Sequence, residues 1–168
     1  SDQYRRARRL QDDEFVFLLT AQVNHRNWFS ALDRNKPANG FIHTADWDLY
    51  LDASPVFPIA FEAISLVLQH HIYADWEKMR ELAHKTPRGC VNDFCLEKRD
   101  IILKMRTADI CQGCMEVLQK HVQLPVIDHA LSLMESMRQK MLYAQNFRQN
   151  SPPSRMVIDR TNRIFLPD

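Results

Sequence analysis

H-K-T-P-R-G-C-V-N-D-F-C-L-E-K-R-D-I-I-L-K-M-R-T-A-D-I-C-Q-G-C-M-E-V-L, residues 84–118, decides how the rest of this chain is read. It contains all four cysteines, Cys90, Cys95, Cys111 and Cys114, as a C-x4-C pair and a C-x2-C pair with 15 residues between them. Two close pairs reach a tetrahedron readily, because a local turn pre-places each pair. Zinc takes four thiolates in that geometry at about 2.3 Å from each sulfur. The spacing therefore predicts a structural zinc site with Cys90, Cys95, Cys111 and Cys114 as ligands. Four thiolates fill the coordination sphere and leave no position for a catalytic water. Free or redox-active thiols are the alternative. Cys111-Gln112-Gly113-Cys114 reads as a turn feeding a helix, Met115 to His121, whose first N–H groups would stabilise thiolate charge. Lys98, Arg99, Lys104 and Arg106 in the connecting segment either offset the charge of the site or remain solvated.

Working outward, the N-terminal side reads as short strands followed by helix. Residues 2–13 suit a short polar helix. Glu14 to Thr20 (E-F-V-F-L-L-T) is a continuous apolar run of the kind a central strand covered on both faces shows. Trp28, Phe29, Ala31 and Leu32 form a short apolar segment. Asn35 to Gly40 is a turn, and Gly40 to Thr44 a second strand. Thr44 or Asp46 is placed to cap a short helix carrying Trp47, Leu49, Tyr50 and Leu51. Beyond Pro55 and Pro58, apolar residues recur at helical spacing (Ile59, Ala63, Leu66, Val67, Ile72) around most of the circumference, which marks a core helix. The period continues through Trp76, Met79 and Leu82 towards Thr86-Pro87, with a bend at His70-His71.

Past the cysteines, Pro125 sits where the first turn of a helix accepts proline. Ile127, Ala130, Met134, Met137, Met141 and Ala144 then recur in three- and four-residue steps, a heptad seam on a long helix over 126–147. Such a seam either packs on its own domain or forms an interface with a second copy or another partner, for which methionines are adaptable. Ser151-Pro152-Pro153 ends the helix, and the tail 151–168 alternates polar and apolar residues as a small hairpin would.

At 168 residues the chain reads as one domain able to bury a core without disulfides. Only three glycines argue against an all-β fold of tight hairpins. The expectation is a single helix-rich α/β or α+β domain over 1–150, with a small sheet and a zinc lobe at 84–121. A formal net charge of +1 gives no global field for nucleic acid. The polar, arginine-rich start reads as no signal peptide, and no apolar run approaches a membrane span. Paired cysteines without a secretory signal favour metal over disulfides and a cytoplasmic protein.

The cysteine arrangement resembles that of archaemetzincins, a family of zincin-fold metallopeptidases. Cys-Val-Asn-Asp-Phe-Cys (90–95) is similar to the family's first pair, and Cys-Gln-Gly-Cys (111–114) followed by Met115-Glu116-Val117-Leu118 to its second. The approach is also similar: a strand at 15–20, an aromatic segment at Trp28-Phe29, a strand at 41–44, then a long apolar helix. The resemblance spans residues 14–118 and implies a zincin-like fold with a structural zinc held by the four cysteines. It departs from the family at the catalytic helix. In place of the family's H-E-x-x-H, Phe61 to Ser65 reads F-E-A-I-S, so both histidines are missing and only Glu62 remains. No G-x-x-H follows, and Ile72 to Gly89 would be an insertion. The resemblance thus implies a pseudo-metallopeptidase, the fold and structural zinc kept and the peptidase lost.

Other residues carry less. Among seven histidines, His71 with Asp75 makes an i, i+4 pair, and His43 with Asp46 or Asp48 lies near a strand end. His84 follows His71 on the same helical stretch but is not its neighbour. Each reads as a surface or capping group before a ligand. Glu62 on a mostly apolar helix needs a partner, and a core arginine is the expected one. No phosphate-binding glycine loop or G-x-S-x-G elbow is present. The function this reading favours is a non-catalytic zincin-like module that binds or regulates a protein or ligand. Nucleic-acid binding through Lys98, Arg99, Lys104 and Arg106 with the N-terminal arginines is the second hypothesis, and a hydrolase with a rebuilt metal site the third.

Overall fold

The computed structural model describes residues 2–73 and 76–150; side chains are described except at 76 and 144–150. The tail hairpin and Asp75 as partner of His71 lie outside the described residues, and the side chain of Ala144 of the seam outside the described side chains. The elements in chain order are α1 (Asp2–Arg8), β1 (Val16–Thr20), β2 (Ser30–Leu32), β3 (Asn39–His43), a 3-10 turn (Trp47–Leu49), α2 (Val56–Ile72), α3 (Trp76–Leu82), a second 3-10 turn (Lys98–Asp100), α4 (Ile101–Thr107), α5 (Gln112–Leu118) and α6 (Leu124–Asn150). The architecture is mixed α/β and helix-rich with a small sheet.

The sheet has the order β1-β3-β2. β1 runs parallel to β3, from Val16 opposite Asn39 to Thr20 opposite His43. β2 pairs antiparallel with β3, Ala31 opposite Phe41. The centre is therefore β3, not the apolar run at 16–20. β1 is an edge strand, and its neighbours Leu18 and Leu19 are 63% and 57% exposed. Successive strand residues point to opposite faces, so both faces are open there. Continuous hydrophobicity indicated burial, but the chain order of the strands put the more mixed segment, Asn39–His43, in the middle. The short segment after Trp28 supplies the third strand. A side chain at Gly40 would meet the Ala31 carbonyl oxygen at 2.8 Å, so the β2–β3 approach depends on glycine there.

Arg5 fastens α1 to this sheet. It is buried, and its Nε donates to Asn39 Oδ1 at 2.6 Å while Nη1 donates to the Gln11 carbonyl at 2.7 Å. Its Nη2 donates to the carbonyls of Glu14 and Ala38. One guanidinium thus closes the turn after α1 and bridges the starts of β1 and β3, using its rigid fork of donors.

The helices pack against one another and the sheet. α2 contacts β2, β3, α5 and α6, and buries Phe61, Leu66, Leu68 and Ile72. Phe29 stacks on Trp47 with ring centres 4.0 Å apart, and Trp47 donates its indole N–H to the His43 carbonyl at 2.9 Å. Asp46 precedes the 3-10 turn but makes no side-chain cap, since its φ is 67°. The seam of α6 lies inside the fold. Ile127, Met134 and Met141 are buried, against α2 and α4, and Ala130 and Met137 pack on the same core. No helix among the described residues is long and apolar enough to cross a membrane.

Replacing Arg5 by alanine removes these hydrogen bonds and leaves Asn39 Oδ1 and the Glu14 carbonyl without that donor, while the Ala38 and Gln11 carbonyls keep the Val16 and Glu14 amides. The expected loss is about 2–3 kcal/mol of unfolding free energy, measured by denaturant titration. Lysine recovers only part, because a single ammonium does not span the four acceptors.

Candidate metal centre

The region 84–114 is largely loop, and its geometry is set by a few hydrogen bonds. α3 ends at Leu82, short of the expected stop at Thr86. The chain then turns so that His84 runs beside Asp93 and Cys90 beside Asp109 as parallel bridges. His84 N donates to the Asn92 carbonyl at 3.1 Å and Phe94 N to the His84 carbonyl at 3.0 Å; Val91 N donates to the Asp109 carbonyl at 2.9 Å. Gly89 adopts φ 86° with the Thr107 side chain where a Cβ would be, 2.5 Å away. Thr107 Oγ1 donates to the Gly89 carbonyl. The turn into Cys90 is therefore built for glycine.

These connections bring His84, Cys90, Cys111 and Cys114 together, with one ligand atom from each lying within 4.8 Å of the other three. All four cysteines are free of disulfides. His84 Nε2 lies 3.4 Å from Cys114 Sγ and 3.7 Å from Cys111 Sγ. Three sulfurs and an imidazole nitrogen converging on one point form a set able to hold a metal ion. Three of the expected ligands, Cys90, Cys111 and Cys114, belong to this set. Cys95 does not, and His84 takes the fourth place.

The surroundings orient the ligands. Asp93 is buried. Its Oδ1 lies 3.0 Å from His84 Nδ1, and its Oδ2 accepts from the backbone amides of Arg88, Gly89 and Cys90 at 2.7, 2.6 and 3.2 Å. A carboxylate on Nδ1 leaves Nε2 facing the sulfurs, the tautomer a metal needs. Asn92 Nδ2 donates to Cys114 Sγ at 2.9 Å, and the Cys111 amide to Cys90 Sγ at 3.3 Å. The Cys114 thiol beside Cys90 holds the Cys90 pKa down, to about 5. The same hydrogen bond, with burial, pushes Cys114 up. One thiolate is thus favoured at neutral pH, and metal binding releases the remaining protons. Cys111 precedes α5, which starts at Gln112 rather than Met115.

Cys95 points elsewhere. It has φ 49°, a left-handed conformation uncommon for a residue with a side chain. It lines a cleft together with Glu62, Lys104, Ser30 and Phe29. Burial pushes its thiol up to about 12, so it stays protonated at neutral pH. In this cleft Glu62 finds its partner, but it is Lys104 rather than an arginine: Nζ to Oε1 is 3.1 Å, with both side chains 4% exposed. Ser30 Oγ donates to Glu62 Oε2. Lys104, expected to face the metal or solvent, is buried in this pair.

The sequence signal for His84 was weak. It is a lone histidine after a helix, six residues before Cys90, and only folding back along Asp93 brings it to the three cysteines. The chain matches no family model, no curated protein and no solved structure.

The two ligand sets separate by mutation. Cys95→Ser leaves metal affinity unchanged, whereas His84→Ala weakens it. Asp93→Asn weakens it by about 10–100-fold, the usual cost of losing the group that orients a ligating histidine. Competition with a chromogenic chelator measures all three; loss of metal from Cys95→Ser with retention in His84→Ala would restore the four-cysteine set.

Proposed function

We propose that the chain is a zinc-stabilised, non-catalytic module of zincin-like architecture that binds or regulates a ligand or protein partner through the cleft beside its metal lobe. The observation that carries this reading is the closed set of three cysteine sulfurs and one imidazole. For zinc distances of about 2.3 Å to sulfur and about 2.05 Å to nitrogen, a tetrahedron has N–S edges of about 3.6 Å. The 3.4 and 3.7 Å separations of His84 Nε2 from the two sulfurs suit that ion. Three cysteines and a histidine fill a structural zinc site and leave no open position. Within this chain His84 and the three cysteines would hold the ion, Asp93 would hold His84, and the Asn92 and Cys111 N–H groups would stabilise thiolate charge. Bound zinc would supply rigidity rather than chemistry.

The non-catalytic reading is supported by Glu62. In the archaemetzincin resemblance it stands where the family has its catalytic glutamate, but here Lys104 and Ser30 occupy its carboxylate. The zincin-like reading draws on element order: strand, aromatic segment, strand, long apolar helix, cysteine lobe. A partner at the cleft is favoured over one on α6, because the seam of that helix is packed within the fold. Reduced cysteines accord with a cytoplasmic setting. Burial of Lys104 removes one of the four lobe cations that nucleic-acid binding would use.

Elemental analysis of purified protein tests the reading. One zinc per chain is expected, its removal by a strong chelator should lower the melting temperature, and generic peptides should remain uncut. A metal-free chain that melts like the native one, or two metals with peptide cleavage, would overturn it.

A further inference from the structure

The cleft beside the lobe lies between β2, α2, α4 and the loop 92–98, and encloses about 90 Å³, room for several waters or part of a small ligand. Its walls are mostly apolar, with Phe29, Leu66, Met79 and Ile101 among them. Among its polar groups are the Lys104–Glu62 pair and Ser30, which are bonded together. That combination of an apolar cavity and a few fixed polar groups is the usual form of a small-molecule site.

The chemistry of the pair narrows the ligand. A lysine ammonium has three N–H donors. Among the described residues, Glu62 is the one acceptor that the buried Lys104 Nζ meets. Glu62 takes one hydrogen bond from Lys104 and one from Ser30, and a carboxylate has acceptor capacity for more. The site thus offers spare donors and spare acceptor capacity side by side. The pair is neutral as a whole, so a charged ligand group would enter the interior without a counter-charge. A group that is neutral and carries both an acceptor and a donor meets both ends. Lys98, at the mouth, already sits over the Phe29 ring, 4.4 Å from its centre.

We propose that this cleft binds a small neutral carboxamide with an apolar body, its C=O accepting from Lys104 Nζ and its N–H donating to the Glu62 carboxylate. The body lies against Phe29, Leu66 and Ile101. The Tyr73 hydroxyl and Asn92 Oδ1 are buried without a hydrogen-bond partner among the described residues, and both residues border the cavity. Buried groups of this kind call for a water or ligand atom. Asn92, a residue of the cleft wall, also donates to Cys114. This assignment rests on reading the cleft as a non-catalytic binding site.

Amide-resolved NMR titration of the metal-loaded protein tests it with three probes sharing one ring: benzamide, benzoate and benzylamine. Saturable shifts at residues 30–32, 62–66 and 101–104 are expected with benzamide, with at least tenfold weaker binding of the two charged probes. Intermolecular NOEs from the benzamide ring to the Leu66 and Ile101 methyl groups should accompany them. The double variant Glu62→Gln/Lys104→Met, which removes both charges together, should lose the tenfold preference. No saturable shift with benzamide, or equal binding of all three probes, overturns the proposal. Should the double variant fail to fold, the probe ranking and NOEs on the native protein decide alone. Metal present without benzamide binding removes this inference and leaves the proposed function standing. Conversion of benzamide to benzoate and ammonia would instead remove the non-catalytic reading.

Discussion

The carboxylate of Asp93 is the constraint on which the lobe depends. One oxygen faces His84 Nδ1, and the other gathers the amides of Arg88, Gly89 and Cys90. A buried carboxylate is costly unless its lone pairs are met, and here they are met by the two arms that must converge. The turn that places Cys90 and the segment that places His84 cannot move independently while Asp93 binds both. The C-x2-C pair needs less help, because Cys111 immediately precedes α5 and Cys114 lies in its first turn.

The lobe and the cleft share material. Asn92 and Asp93 stand behind the metal ligands and also border the cavity, and Phe94, Cys95 and Leu96 continue its wall. Free energy of metal binding is free energy of ordering when the site does not persist without its ion. Whatever fixes His84 and Cys90 therefore also fixes one side of the cleft. The opposite side is fixed differently, by the Lys104–Glu62 pair joining α4 to α2. Breaking a buried pair by removing one partner strands a charge, a loss of about 3–5 kcal/mol. Two separate devices, one metal-linked and one electrostatic, thus hold the two walls.

Much of the fold was legible and the exceptions have physical causes. The core helix at 56–72 and the seam of α6 followed from periodicity and the start of α6 from its proline. Periodicity left open whether that seam faces its own domain or a partner, and the fold buries it. Burial of strands was misjudged, because hydrophobicity along Val16–Thr20 does not reveal the order in which strands pair. Helix ends were hard to place for a related reason. With three glycines in the chain, left-handed positions fall on Arg9, Asn27, Asp46, Cys95 and Ala108, so α1 and α4 end without the glycine that usually marks such a stop. At the site, Cys90, Cys111 and Cys114 were readable from spacing. His84 was not, since its place depends on a backbone bridge to Asp93 that no local pattern encodes.

The fate of Cys95 follows from that bridge. A C-x4-C pair reaches one ion only if the intervening residues turn back on themselves. Here Asn92 and Asp93 are instead drawn towards His84, by the Asn92 carbonyl accepting from His84 N and the Phe94 amide donating to the His84 carbonyl. The chain leaves that bridge moving away from His84, Cys90, Cys111 and Cys114, and the left-handed turn at Cys95 carries its thiol into the cleft. A strained residue of this kind persists only where its surroundings over-determine it. The parallel bridge lies just before it in the chain, and Lys104 and Glu62 line the same cleft. The Cys95 thiol becomes part of the cleft's wall, neutral beside a pair of opposite charges, and the fourth member of the candidate metal set is drawn from a segment that the cysteine spacing alone would never have included.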